Sequence, residues 1–195
     1  MSKSKDLLAP WILVGYEIFA NEGPKALKVE VIARRVNKSK SSFYHHFADL
    51  EVFVEFLLAY HLERAEIIAE QERQCKNVIP ELLHLLTEVQ QDLLFNRQLR
   101  INRDIPKYKH CFEKASATVG EAILGIWAAE LGLGDNSYLA QIVLNLTLEN
   151  FYLQITPETL SYEWLYEYVQ GLKTMVQAFK QNEKRNPTSL SESAS

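Results

Sequence analysis

Between Lys28 and Phe47 the chain reads KVEVIARRVNKSKSSFYHHF, and its polar side chains are of the types that meet a nucleic-acid backbone. Lys28, Lys38 and Lys40 can each set a positive charge against a phosphate, while Tyr44, His45 and His46 can donate to phosphate oxygens. Ser39, Ser41 and Ser42 carry hydroxyls short enough to approach base edges in the major groove. A helix start adds to this, because its unpaired backbone N–H groups and its dipole favour anions. The chemistry implied is binding of double-stranded DNA, and it requires a short helix held proud of its surroundings.

The surrounding residues supply such a helix. Val29, Ile32, Ala33 and Val36 recur at i, i+3, i+4 and i+7 and draw one apolar stripe, with Glu30, Arg34 and Arg35 on the wet side. Asn37 stands where this first helix must end in a left-handed residue, a conformation Asn tolerates well. Ser39 is a good N-cap for a second helix beginning at about Lys40, and Phe43 and Phe47, at i and i+4, anchor that helix inward. Two short helices joined by a four-residue polar break outline a helix-turn-helix.

Charge agrees with this placement. Up to residue 48 there are eight Lys and Arg against four Asp and Glu, a balance of +4, while the rest of the chain holds 13 against 21, a balance of −8. The overall −4 therefore hides a basic head on an acidic body.

The segments WILVGYEIFANEG, VEVIARRVNKSKSSFYHHF and ADLEVF together resemble the N-terminal DNA-binding domain of TetR-type transcriptional regulators, over roughly residues 8 to 55. The specific part is Ile32-Ala33, Ser39 and Tyr44-x-His46-Phe47; Trp11, Ile12, Ile18, Phe19 and Gly23 match the family's first helix more loosely. The resemblance implies a homodimer that sets its third helix in the major groove of a pseudo-palindromic operator. It also implies a C-terminal helical domain that dimerises and binds a small-molecule effector, with repression commoner than activation. Lys28, Lys38, Ser39, Lys40, Ser41, Ser42, Tyr44, His45 and His46 are then the DNA-binding residues.

The chain departs from the family pattern at four positions. Lys28 stands for the Thr or Ser that caps helix 2, Asn37 for the turn glycine, Lys38 for a small apolar residue, and Leu50 for a Lys that meets phosphate at the start of helix 4. Lys28 and Lys38 can offset the charge missing at Leu50, since Lys acts as a mobile point charge.

Beyond the head the reading is all-α, with an N-terminal three-helix DNA-binding domain over 1–48, a helical effector-binding and dimerisation domain over 49–185, and a disordered Ser-rich tail over 186–195. A long helix is predicted from about Asp49 to Gln74, with Phe53, Leu57, Tyr60, Ile67 and Ile68 inward. Asn77 and Pro80 mark the next start, ELLHLLTEVQQDLLF is predicted as one amphipathic helix, and NRQLRINRD as a short polar-basic stretch of a turn or two. Further helices are predicted from Pro106 to about Leu131, from the Asp135–Ser137 caps to about Ile155, and from after Ser161 to about Gln181.

The last two helices carry apolar residues on more than one face. Leu139, Ile142 and Leu146, with Leu165, Val169, Leu172 and Val176, can form a two-fold four-helix interface or a deeply buried pair within one subunit. The family resemblance selects the dimer.

Effector-binding candidates are Tyr108, Phe112, Trp127, Asn145, Glu149, Phe151 and Tyr152, with Arg97, Arg100 or Arg103 at a mouth. The same residues suit an ordinary helical core. Asn145 and Glu149, at i and i+4 in an otherwise apolar helix, need a partner or a ligand. His61, His84 and His110 are isolated and no catalytic, metal or phosphate-loop motif occurs, so no catalytic residue, metal site or cofactor is expected and the chain does not read as an enzyme. Cys75 and Cys111 read as free thiols, and neither a membrane span nor a secretion signal is seen, which suggests the cytoplasm. Two other classes remain: a helical interaction or ligand-sequestering module on this scaffold without operator binding, and an all-α enzyme lacking a recognisable motif.

Overall fold

The computed structural model of the chain describes residues 3–185. Helix α1 (Lys3–Glu22) leads through a single turn at Pro24–Ala26 into the short pair α2 (Val29–Arg35) and α3 (Lys40–His46), followed by the long α4 (Leu50–Gln74). An irregular turn over Val78–Leu82 precedes α5 (Leu83–Glu88) and α6 (Gln90–Ile101), and the chain closes with α7 (Pro106–Glu130), α8 (Ser137–Gln154) and α9 (Tyr162–Arg185). There is no strand among the described residues, and none of their helices is long and apolar enough to cross a membrane. The predicted tail over 186–195 lies outside the described residues.

Helix ends follow the side chains expected to set them. Asp49 accepts from the Val52 N–H at 2.8 Å and Asn136 from the Leu139 N–H at 2.9 Å, each satisfying an orphan donor of a helix start. Gly132, at φ 63, closes α7 in the left-handed conformation that glycine adopts without steric cost, and the Leu133 N–H returns to the Ala128 carbonyl at 2.7 Å. Asn77 caps the turn before α5 by accepting from the Glu81 N–H.

One segment departs from the sequence expectation. The run ELLHLLTEVQQDLLF is not one helix: Val89 leaves helical geometry at φ −103 and ψ 26, ending α5 and starting α6. No glycine or proline announces this break. NRQLRINRD supplies the last turns of α6, to Ile101, in line with the turn or two expected, because Leu99 and Asn96 are buried and draw this half of the helix into the core. In α4, Phe53, Leu57 and Ile68 point inward as expected, whereas Ile67 is half exposed.

The head and the body share one core. Phe95 of α6 is fully buried between Phe19 and Tyr16 of α1, with ring centroids 4.2 Å away in each case, and it stacks on His61 of α4 at 4.5 Å. Helix α1 is thus fastened directly to α4 and α6. Between the two fully buried rings of Phe43 and Phe53, 5.3 Å apart, α3 is fastened to α4 in the same way.

Candidate functional site

The helix-turn-helix is built by local chemistry. Asn37 takes φ 57, the Lys38 N–H bonds back to the Ala33 carbonyl at 2.9 Å, and the chain turns there without glycine. Ser39 Oγ accepts from the Ser42 N–H at 3.1 Å, so α3 begins at Lys40 with a satisfied cap. Lys28 precedes α2 in extended geometry and makes no side-chain cap bond, as expected of a residue without a short acceptor. Leu50 is half-buried and packs against the core, which is why this position carries no charge toward solvent.

Burial divides α3 into two faces. Phe43 and Phe47 are buried against Trp11, whose ring meets Phe43 edge-on at 5.7 Å. Lys40, Ser41, Tyr44 and His45 are exposed on the opposite side, Tyr44 at 55% of its surface, and Ser42 is half-exposed. Lys28, Lys38 and Ser39 are exposed as well. His46 is only half-exposed because its ring lies 6.2 Å from Trp11. Two surface ion pairs brace the unit: Arg35 to Glu22 at 2.6 Å ties α2 to α1, and Lys40 to Glu30 at 3.3 Å links α3 to α2. The Glu30 carboxyl lies below the usual range through its own backbone N–H bond and then the Lys40 ammonium.

Helices α4 to α9 enclose a second feature, a cavity with about 860 Å³ of space free of protein atoms, part of it open to solvent. Its wall is apolar apart from His61, Glu72, Asp92, Asn96 and Thr147. Of the predicted effector residues, Trp127 and Tyr152 line it, together with Phe151. Phe112, Asn145 and Glu149 line a different, shallow cleft between α7 and α8. Asn145 there is exposed and accepts from Gln141 Nε2 at 3.0 Å, while Glu149 pairs with Arg100 at 2.5 Å and Arg103 at 3.4 Å, so neither enters the cavity. Tyr108 packs on Phe19 at 5.5 Å near the base of the body, and Arg97 lies outside both sets of lining residues. Of the ten residues named from the sequence, the cavity is lined by Trp127, Phe151 and Tyr152.

The polar wall of the cavity is not legible in the sequence because its members come from three helices, α4, α6 and α8. Its sequence trace is the spacing of Leu57, His61, Ala65, Ile68 and Glu72, which puts His61 and Glu72 on the buried face of α4. His61 is not isolated: its Nδ1 lies 2.6 Å from the Tyr16 hydroxyl of α1, and that hydroxyl donates to Asp92 Oδ1 at 2.8 Å. Asp92 also takes both arms of Arg64, at 3.1 and 2.9 Å. Burial pushes the His61 imidazole down to about 4 and the Tyr16 phenol well up, so both are neutral near pH 7. Cavity and head are joined through these four side chains.

Within the predicted dimer face the two helices behave differently. Leu139, Ile142 and Leu146 of α8 are exposed. Leu165, Val169 and Val176 of α9 are buried within their own subunit, and Leu172 is half-buried against the same core, so the intersubunit role predicted for the first three is corrected. The exposed apolar residues of α9 are Tyr166, Met175 and Phe179 instead. Cys75 and Cys111 are free thiols.

Residues 12–55 match the family model described as bacterial regulatory proteins, tetR family. Over this segment the chain is similar to the tetR family of bacterial regulatory proteins. The fold is similar to that of Salmonella enterica GusR, with TM-score 0.60 and 14% identity over 91% of this chain and 97% of that one. It is also similar to a putative TetR-family transcriptional regulator from Mesorhizobium loti MAFF303099, with TM-score 0.56 and 16% identity over 92% and 98% of the two chains. At these identities the likeness concerns the fold. No curated protein matches the chain significantly.

Proposed function

We propose that the chain is a transcriptional repressor that binds a pseudo-palindromic operator as a homodimer and is released by a small molecule bound in its body. Residues 1–48 form the reading head in this account, and residues 49–185 the effector-binding and dimerisation body. The observation that carries it is the two-faced α3: Phe43 and Phe47 lock the helix from beneath, which leaves Lys40, Ser41, Tyr44 and His45 facing outward as one surface. Lys28, Lys38, Ser39, Ser42 and His46 complete the DNA-binding set, the lysines and histidines toward phosphate and the serines toward the helix start and base edges.

Dimerisation is supported by Leu139, Ile142, Leu146 and Leu153, all exposed and spaced along one side of α8, and by Met175 and Phe179 on α9. A second copy would cover them and hold two heads at a fixed spacing, so that each α3 reaches a half-site one helical turn, about 34–36 Å, or a multiple of it from the other. Release follows from the cavity. A ligand displacing α6 or α4 acts on Tyr16 through Asp92 and His61, and hence on α1, provided it binds the displaced conformer more tightly.

Mobility shift of duplexes at two salt concentrations tests the reading. Specific binding to an inverted repeat, with an affinity that falls steeply with salt, is expected. Weak binding of equal strength to every duplex would contradict it.

A further inference from the structure

We infer that the body cavity takes an apolar monocation, a lipophilic amine or quaternary ammonium, whose charge is met by Glu72 beside the ring of Trp127. The inference rests on the reading of this cavity as an effector site and adds the chemical class of the ligand.

Glu72 stands in the last turn of α4, 3% exposed, and lines the cavity. Its Oε2 is buried without a protein hydrogen-bond partner. The neighbouring Arg73 does not neutralise it, being turned to Glu70 at 3.1 Å on the surface. A buried carboxyl with no counter-ion opposes folding, and a ligand that brings the opposite charge reverses that penalty. Asp92, the other carboxylate in the wall, already holds Arg64 and Tyr16 and is not free for a ligand. No Lys or Arg is among the lining residues, so the cavity offers nothing to an anion.

Trp127 of α7 is placed by the register of α4 and α7. Lys107 reaches Glu51 and Glu55, each at 3.2 Å, and the Cys111 thiol contacts the Leu58 carbonyl one turn further on, so α4 and α7 run side by side in the same direction. That register carries Glu72 to the level of Trp127. The Trp127 N–H is likewise buried without a protein acceptor, so two of the cavity's lining residues carry unmet polar atoms. Phe151, Tyr152 and Tyr168 complete an aromatic surround, the environment in which a desolvated cation gains most from ring faces.

Burial pushes the Glu72 carboxyl up to about 8, so it is mostly protonated near pH 7 and gives up its proton when a cation binds. The other titratable groups around it keep their charge in that range. His61 on α4 stays neutral with its value near 4; Tyr152 on α8 and Tyr168 on α9 stay neutral, both raised to about 12. Cys75 is also raised, by burial and then by Glu81 and Glu72; Asp92 on α6 is paired with Arg64, and Arg73 with Glu70.

The test is calorimetric titration of the full-length protein, free of DNA, at pH 7 in two buffers of different ionisation enthalpy. The probes are 4-phenylbutyltrimethylammonium and its isostere with carbon in place of nitrogen. The wild type is expected to bind the cation about tenfold more tightly than the isostere and to release about one proton. Glu72→Gln should bind the isostere unchanged, lose the preference for the cation and release no proton. Equal or tighter binding of the isostere by the wild type, a preference that survives in Glu72→Gln, or no binding of either probe would overturn the inference. A cation that binds as stated yet leaves a protein–duplex complex intact would contradict the release mechanism and uphold the ligand class.

Discussion

The Tyr16 hydroxyl donates to Asp92 Oδ1 at 2.8 Å across 76 residues of sequence, joining the first helix of the DNA-binding head to the wall of the body cavity. Asp92 takes the paired arms of Arg64 and accepts from Tyr16, which leaves the phenol oxygen to accept from His61 Nδ1–H at 2.6 Å. On the other side of the ring, His61 Nε2 lies 3.2 Å from Asn96 Oδ1. Every member of this chain of bonds is needed by the next.

Tyr16→Phe removes a donor and an acceptor together and leaves the buried His61 N–H without its partner. A loss of about 1–3 kcal/mol is expected in urea denaturation, the cost of an unsatisfied buried polar group. The variant should also release DNA less in response to a cavity ligand, because α1 no longer hangs on Asp92. Unchanged stability together with unchanged release would remove Tyr16 from the coupling.

The His61 imidazole is held down to about 4 in the fold against 6.5 when unfolded, chiefly by burial. Its contribution to stability is therefore present above about pH 6.5 and lost as the pH falls through 4, by about 3 kcal/mol in all. Glu72 acts in the opposite sense. Raised to about 8 from 4.5, it contributes fully below pH 4.5 and loses that contribution as the pH rises through 8. Unfolding of Glu72→Gln at pH 7 and pH 4.5 isolates the histidine, and the variant should weaken on acidification more than the wild type does. A smaller loss in the variant would contradict the assignment.

Gly15 lies where α1 crosses α4. A Cβ built there meets the fully buried Phe53 ring at 2.4 Å, closer than atoms approach without displacement. Gly15→Ala should cost about 1–3 kcal/mol through overpacking, read as a lowered denaturation midpoint. A neutral result would mean that the crossing is looser than its geometry indicates.

Leu146 and Phe179 are 66% and 65% exposed, whereas Leu165 is 1% exposed. Leu146→Glu combined with Phe179→Glu should therefore yield a folded monomer by light scattering. Leu165→Ala should lose about 2–5 kcal/mol as a cavity forms in the subunit core. A stable dimer in the double variant would place the subunit contact elsewhere.

The head was legible in the sequence because its signals are local. Asn37, Ser39 and the Phe43–Phe47 pair each act within a few residues, through a left-handed turn, a cap and one helix face. The break at Val89 was not legible, since it is set by packing and carries no turn residue. Apolar residues occur around α9, and only tertiary contact separates buried Leu165, Val169 and Val176 from exposed Met175 and Phe179. Asn145 and Glu149 looked like pocket residues by helix position, but their partners Gln141, Arg100 and Arg103 keep them at the surface. His61 seemed alone because Tyr16, Asp92 and Asn96 reach it from other helices.

The most direct measurement of the central claim is selection of duplexes from a random pool by the wild-type protein, followed by mobility shift of the enriched duplex with Lys40→Ala, Tyr44→Ala and Lys38→Ala. The account predicts an enriched inverted repeat bound by the wild type. Lys40→Ala and Tyr44→Ala should bind it much less at an unchanged melting temperature, and Lys38→Ala should flatten the salt dependence by about one unit of log–log slope. No enriched sequence, or Lys40→Ala and Tyr44→Ala binding as the wild type does, would contradict α3 as the reading helix.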